Sequence, residues 1–275
     1  MKVYKRENDI LIQNKDKFYC LDHKNWDKFI NDDQLYLKIL ASISNAKKIN
    51  IGQYDTFCPP IDSQELWASG VTYYMSKKGR EEESQETGGS IFYTKVYDAE
   101  RPELFFKANK NRISGTGQPV RIRRDSNWNV PEPELTLFAT SNAKIVGYSI
   151  GNDMSSRDIE GQNPLYLPQA KTYDGCASLG PCIYVTEKPL VKGLKIELRV
   201  ERNGSIVFCE SISTERMKRK PQELVDYLFK ESSFPNGAFL MTGTGIVPPP
   251  DFTLKLGDII EIEIEKIGKL INTVA

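Results

Sequence analysis

Glu132 and Glu134 flank a proline in Pro131-Glu132-Pro133-Glu134-Leu135, and Asp153 ends the triplet Gly151-Asn152-Asp153. In an extended chain, residues two apart share a face, so Glu-x-Glu sets two carboxylates side by side. Three anionic ligands on one face repel unless a cation sits between them. A hard divalent ion such as Mg²⁺ suits them, because it takes oxygen ligands and keeps positions open for water or substrate. Mn²⁺ and Ca²⁺ are the expected substitutes. A lone Glu-x-Glu is more often an exposed strand edge. Here the pair runs into the apolar stretch Leu135-Thr136-Leu137-Phe138-Ala139, and Asp153 follows the apolar run Ile145–Ile150, so the acids cap strands that read as buried.

Histidine bounds the chemistry further. The 275-residue chain has one, His23, in the polar stretch Asp22-His23-Lys24-Asn25, where a surface position is expected. A His-rich zinc site cannot be built from it, and a Ser-His-Asp triad is excluded in practice. Net charge is zero and hydrophobic content 39%, which fits an ordinary globular enzyme and gives no support for nucleic-acid or membrane partners. The N-terminus lacks an apolar signal core, no apolar run exceeds strand length, and the five cysteines lack CxxC spacing. A cytoplasmic protein with reduced thiols is expected.

The elements that must position these acids read as β-rich. Residues 1–60 are expected to form a small N-terminal α/β domain, with short strands at Lys2–Tyr4, Ile10–Ile12 and Phe18–Leu21 and helical character at Leu35–Leu40. Cys58-Pro59-Pro60 closes it. In 61–275, Val120–Arg123, Leu194–Val200 and Ile259–Ile264 alternate like strands, Asn203-Gly204 marks a two-residue hairpin, and Pro221 opens a helix. An α+β fold, rolled or closed into a barrel, is expected. The charged run Lys77–Ser84 reads as a solvated face, or as part of a lid over Ser76–Gly89.

Further polar groups cluster in sequence around the acids: Lys107 after Phe105-Phe106, Arg157 in Ser155-Ser156-Arg157-Asp158, Lys171 before Thr172-Tyr173-Asp174-Gly175, and the turn Thr242-Gly243-Thr244-Gly245. Each is weak alone. In order, with Arg101–Lys107, Glu132–Leu135 and Gly147–Asp158, they resemble the fumarylacetoacetate hydrolase superfamily from about Trp67 to Ala275. The resemblance implies a mixed β-roll or barrel, Mg²⁺ held by Glu132, Glu134 and Asp153, a 2-keto acid substrate chelating that metal, and a homodimer or homotetramer. Hydrolases of this family usually carry Asn-Tyr-x-x-His, whose histidine activates water. This chain has Ser76 at that place, in Thr72-Tyr73-Tyr74-Met75-Ser76. A serine without a base activates water poorly.

A narrower branch fits better. Leu66–Gly70, Lys95–Pro102 and Asn163–Lys171 resemble the family members that dehydrate 2-keto-3-deoxy sugar acids. The expected reaction is Mg²⁺-dependent loss of water from a 2-keto-3-deoxypentonate, 2-keto-3-deoxy-D-arabinonate first, through a stabilised enolate to 2,5-dioxopentanoate. Lys171 is the candidate base at C3. Glu103 or a water at the metal is the candidate acid for the C4 hydroxyl. Ser69, Gly70, Lys107, Arg157 and Thr244 are the candidate substrate contacts. For Arg157, orienting the substrate carboxylate and pairing with Asp158 both stand. Acylpyruvate-type C–C hydrolysis and oxaloacetate decarboxylation are the alternatives within the superfamily. Side chains that read the C4 stereocentre are expected in 76–92.

Overall fold

The structure is a computed structural model that describes residues 1–23, 25–50, 57–83, 90–190 and 193–275. The chain opens with strands β1 (Lys2–Lys5), β2 (Ile10–Asn14) and β3 (Lys17–Leu21), helices α1 (Trp26–Ile30) and α2 (Leu35–Ser44), and strand β4 (Lys47–Ile49). Strand β5 (Glu65–Gly70) leads through helices α3 (Tyr74–Glu83) and α4 (Ser90–Asp98) to β6 (Glu103–Ala108). Three two-residue strands follow, β7 (Ile113–Ser114), β8 (Pro119–Val120) and β9 (Asn129–Val130). The long hairpin β10 (Pro133–Ala139) and β11 (Ile145–Asp153) is next, then β12 (Ser155–Ser156), α5 (Arg157–Gln162), α6 (Leu167–Lys171) and β13 (Ala177–Tyr184). The chain ends with β14 (Lys195–Arg202), β15 (Ser205–Ser213), α7 (Pro221–Leu228), β16 (Ala238–Met241), β17 (Ile259–Ile264) and β18 (Gly268–Val274).

Among the described residues these strands form two large open sheets and a two-stranded pair of β9 with β12. One has eleven strands, ordered β4-β3-β2-β1-β13-β11-β10-β16-β5-β6 with β7 beside β13, and the other five, ordered β15-β14-β17-β18-β8. The fold is thus the strand-rich α+β class expected, but neither sheet closes into a barrel. β1 pairs with β13, Val3 opposite Ile183, so the division proposed at about residue 60 runs through a shared sheet.

β10 and β16 are apolar at nearly every position because both faces of their sheet are covered. Leu135, Leu137 and Leu240 enter a core shared with β14 and β17, while Phe138, Phe239 and Met241 enter a second core beneath α1 and α2. α2 meets that core through Leu35, Ile39 and Ile43, spaced one turn apart. The Asn203-Gly204 hairpin joins β14 to β15 with both residues at positive φ, 51° and 76°, as a type I′ turn requires.

Two expectations need correction. Val120–Arg123 is strand only at Val120, since the amide of Arg121 turns aside to the carbonyl of Gly175. The charged run is not wholly solvated either. α3 buries Ser76, Gly79 and Arg80 on the side that also carries Tyr73.

Candidate active site

The β10–β11 register brings the acids together. Glu134 lies opposite Gly151, Pro133 opposite Asn152, and the Asp153 amide donates to the Glu132 carbonyl at 3.0 Å. Glu132 and Asp153 therefore face each other across the strand ends, with Glu134 two residues along on the same face. The three carboxylates are buried, and one oxygen from each lies within 4.8 Å of the others. Burial first, then repulsion from Asp153 and Glu132, pushes the Glu134 carboxyl well above the usual carboxylate range. The Gly243 amide opposes this, donating to Glu134 Oε2 at 2.5 Å. The Thr-Gly-Thr-Gly turn thus closes on the Glu134 carboxyl through its Gly243 amide. Gly243 has φ of 91°, and a Cβ there would lie 2.0 Å from Thr72 Oγ1. Only glycine brings that amide so close.

Cations converge on the same oxygens. Lys171, at the end of α6, donates to Glu132 Oε2 at 2.6 Å, Ser155 Oγ at 2.6 Å and Asp153 Oδ2 at 3.2 Å. These three acceptors match the three N–H bonds of an ammonium. Arg157 Nη2 donates to Glu132 Oε1 at 2.7 Å, and Arg80 Nη2 reaches that oxygen at 3.4 Å. Burial, reinforced by Arg80, holds the Arg157 guanidinium well below its ordinary range. Asp158 meets Ser126, Ser156 and the Asn127 amide, so pairing with Asp158 is not the arrangement Arg157 adopts.

β6 lies against β5 with Glu103 opposite Gly70. Alternation sends Glu103, Phe105 and Lys107 to one face. Glu103 and Phe105 line the pocket together with Ser69, Gly70, Arg157, Lys171, Thr244 and the three acids. Lys107 does not line it; its amine lies behind, against Asp153 Oδ1 and the carbonyls of Met154 and Lys171. The Ser69 hydroxyl is spent on the Glu103 carbonyl at 3.0 Å. Burial raises the Glu103 carboxyl, against the opposing pull of Arg80 and Lys171. Val71, a pocket residue, sits at φ of 51°, a strained conformation for a β-branched side chain.

Ser76 lines the pocket where the family's histidine is expected, but its hydroxyl is engaged in the first turn of α3. It donates to the Tyr73 carbonyl at 2.7 Å and accepts from the Tyr73 amide at 3.2 Å. Sequence reading missed Arg80 and Glu160, an ion pair bridging α3 and α5 in the pocket wall. Helical spacing carried the signal: Ser76 and Arg80 are four apart, Arg157 and Glu160 three apart. Of the segment 76–92, residues 84–89 lie outside the described residues. His23 is not among the pocket residues; it packs edge-on to Phe29.

The donor set fits Mg²⁺: three hard carboxylates with no sulfur or imidazole, and an unrelieved repulsion at Glu134 that a cation would remove.

Residues 79–275 match the family model described as fumarylacetoacetate (FAA) hydrolase C-terminal. A 2-dehydro-3-deoxy-D-arabinonate dehydratase of Saccharolobus solfataricus is 46% identical over 219 residues, 78% of this chain and 73% of that protein. A protein of Haloferax volcanii described as "probable 2-keto-3-deoxyxylonate dehydratase" is 46% identical over 218 residues, with the same shares covered. A solved structure of a 2-keto-3-deoxy-D-arabinonate dehydratase, complexed with magnesium and 2,5-dioxopentanoate, superposes with a TM-score of 0.84. It is 37% identical, over 99% of this chain and 97% of that one.

Proposed function

The chain belongs to the fumarylacetoacetate hydrolase family, and from that premise we propose that it is a Mg²⁺-dependent dehydratase, a hydro-lyase converting a 2-keto-3-deoxypentonate to 2,5-dioxopentanoate. The observation that carries this reading is the pocket itself: a buried carboxylate triad beside Lys171 and Glu103, with the hydroxyl of Ser76 engaged where a hydrolase needs a base. With C2 a ketone and C3 a methylene, C4 is the only stereocentre left. The arabino and xylo names of the two relatives therefore describe one compound within either the D or the L series, and 2-keto-3-deoxy-D-arabinonate is the substrate assigned.

Glu132, Glu134 and Asp153 would hold the Mg²⁺, which when bound supplies a Lewis acid for the 2-keto oxygen and for negative charge arising at C3. Lys171, beside Glu132 and Asp153, takes the C3 proton as the neutral amine and becomes the ammonium those acids accept from. Glu103, kept protonated to higher pH by burial, gives a proton to the departing C4 hydroxyl. Water leaves, moving a proton from C5 to C3 gives the C4–C5 enol, and passage of its hydroxyl proton to C4 yields the aldehyde. Arg157 and Thr244 orient the substrate carboxylate, and Lys107 steadies Asp153 from behind. No attacking water is required, in keeping with the role of Ser76.

The same reading carries a cytoplasmic homo-oligomer. Five free cysteines support the compartment, and the exposed apolar pair Ile206 and Val207 on the edge strand β15 supports self-association. No described helix is long and apolar enough to cross a membrane.

The test is NMR detection of product from both C4 enantiomers of 2-keto-3-deoxypentonate, with Mg²⁺ and with chelator. A metal-dependent aldehyde from the D form is expected. Cleavage or decarboxylation of a diketo acid instead would overturn the assignment.

A further inference from the structure

One pocket carboxylate has no part in this chemistry. Glu160, on α5, is 1% exposed and lines the pocket. Its Oε2 faces Arg80 Nη1 in an ion pair, but among the described residues its Oε1 has no hydrogen-bond partner. A buried acceptor without a donor is costly, and native structures rarely leave one unmatched. The three acids of the cluster are engaged: Glu132 by Lys171 and Arg157, Asp153 by Lys171 and Lys107, Glu134 by the Gly243 amide. Glu160 lines the pocket, so a molecule bound there can supply the missing donor.

We propose that Glu160 determines specificity for the substrate's tail by accepting a hydrogen bond from its C5 hydroxyl, with Arg80 as the positioning residue. This rests on the dehydratase reading of the same pocket. An ionised carboxylate only accepts, so it attracts an O–H and repels a carboxylate or carbonyl. Among small 2-keto acids it selects a hydroxylated tail over an acidic or apolar one. The C4 hydroxyl is the leaving group and needs a donor rather than an acceptor, which leaves the C5 hydroxyl. Arg80 fixes the distance, because its guanidinium spans from Glu160 to Glu132 Oε1, 3.4 Å from Nη2, and so ties the tail contact to the acid cluster.

The experiment compares kcat/KM for 2-keto-3-deoxy-D-arabinonate and for 4-hydroxy-2-oxopentanoate of the matching C4 configuration, which keeps the leaving hydroxyl and lacks the one at C5. Wild-type protein with Mg²⁺ should prefer the first by about ten- to a hundredfold, the worth of one hydrogen bond to a charged group. Glu160→Ala should bring that ratio toward one. Glu160→Gln keeps an acceptor oxygen and should retain part of the preference. A wild-type ratio near one, or a Glu160→Ala variant that slows both compounds alike and keeps the ratio, overturns the assignment. Water loss from neither compound in the wild type removes the dehydratase reading, and this assignment with it.

Discussion

Lys107 Nζ lies 2.6 Å from Asp153 Oδ1, with both side chains essentially inaccessible to solvent. Burial alone would raise the Asp153 carboxyl, but Lys107 and then Lys171 outweigh it and hold the group below its ordinary value. Lys107 thus keeps a proposed metal ligand ionised without occupying the pocket. Replacing it by methionine leaves a buried, half-compensated charge, a change that costs about 3–5 kcal/mol. Lys107→Met should lower the urea midpoint accordingly and weaken Mg²⁺ binding in calorimetry. Unchanged Mg²⁺ affinity in a folded variant would refute this role.

Glu134 sets a pH dependence of the opposite sign. Without metal, burial and its acidic neighbours raise its carboxyl in the folded state. The unfolded chain, with glutamate near about 4.3, sheds that proton first. Fewer protons are then bound unfolded than folded, so stability falls as pH rises from about 4.3 to the elevated folded value. Mg²⁺ prefers the carboxylate and should cancel the fall. Denaturation of chelated wild type should show this loss relative to Glu134→Gln, and Mg²⁺ affinity should rise with pH over the same window. Equal slopes in the two proteins would contradict the argument. Glu134→Gln should also lose Mg²⁺ and activity while staying folded.

Much of this was legible in the sequence because strand alternation and register are short-range rules. Glu132 and Glu134 share a face by spacing, and the β10–β11 hairpin brings Asp153 to Glu132 over little intervening chain. Asn203-Gly204 and Pro221 marked their turn and helix start by local backbone preference. Arg80 was not legible, because its run is charged and burial on α3 depends on α5 arriving from 80 residues later with Glu160. Sheet closure was not legible either, since pairing at the edge strands β4 and β6 is a tertiary outcome. Lys107 was placed in the pocket by its type. Its position four residues beyond Glu103 on β6 puts it deeper, under Asp153.

Lys171 has all three ammonium protons matched by Glu132, Asp153 and Ser155. As the proposed base Lys171 would take the C3 proton in its neutral form, giving up one of those contacts, so methionine at the position keeps the volume and removes the chemistry. Lys171→Met should still bind Mg²⁺. It should lose about 10²–10⁴-fold in turnover, the usual contribution of a positioned base. Exchange of the C3 protons with solvent deuterium should stop. Exchange at the wild-type rate would assign the base elsewhere.

Glu103 and Gly70 make a final prediction that separates position from fold. A Cβ on Gly70 would lie 2.0 Å from Glu103 Oε2. That oxygen is the free end of a flexible side chain, and Gly70 is not among the positive-φ glycines, so the carboxylate yields rather than the backbone. Gly70→Ala should therefore change stability by less than about 1 kcal/mol. Its activity should fall as steeply as that of Glu103→Gln, because both withdraw the proposed acid from C4. Burial raises the Glu103 carboxyl, so the wild type should lose kcat/KM as pH climbs through that elevated value, and neither variant should show this limb. Residues acting through one group do not add, so the double variant should be no slower than either single one. Additive losses would mean that Gly70 serves the substrate directly and that Glu103 is not the acid it positions.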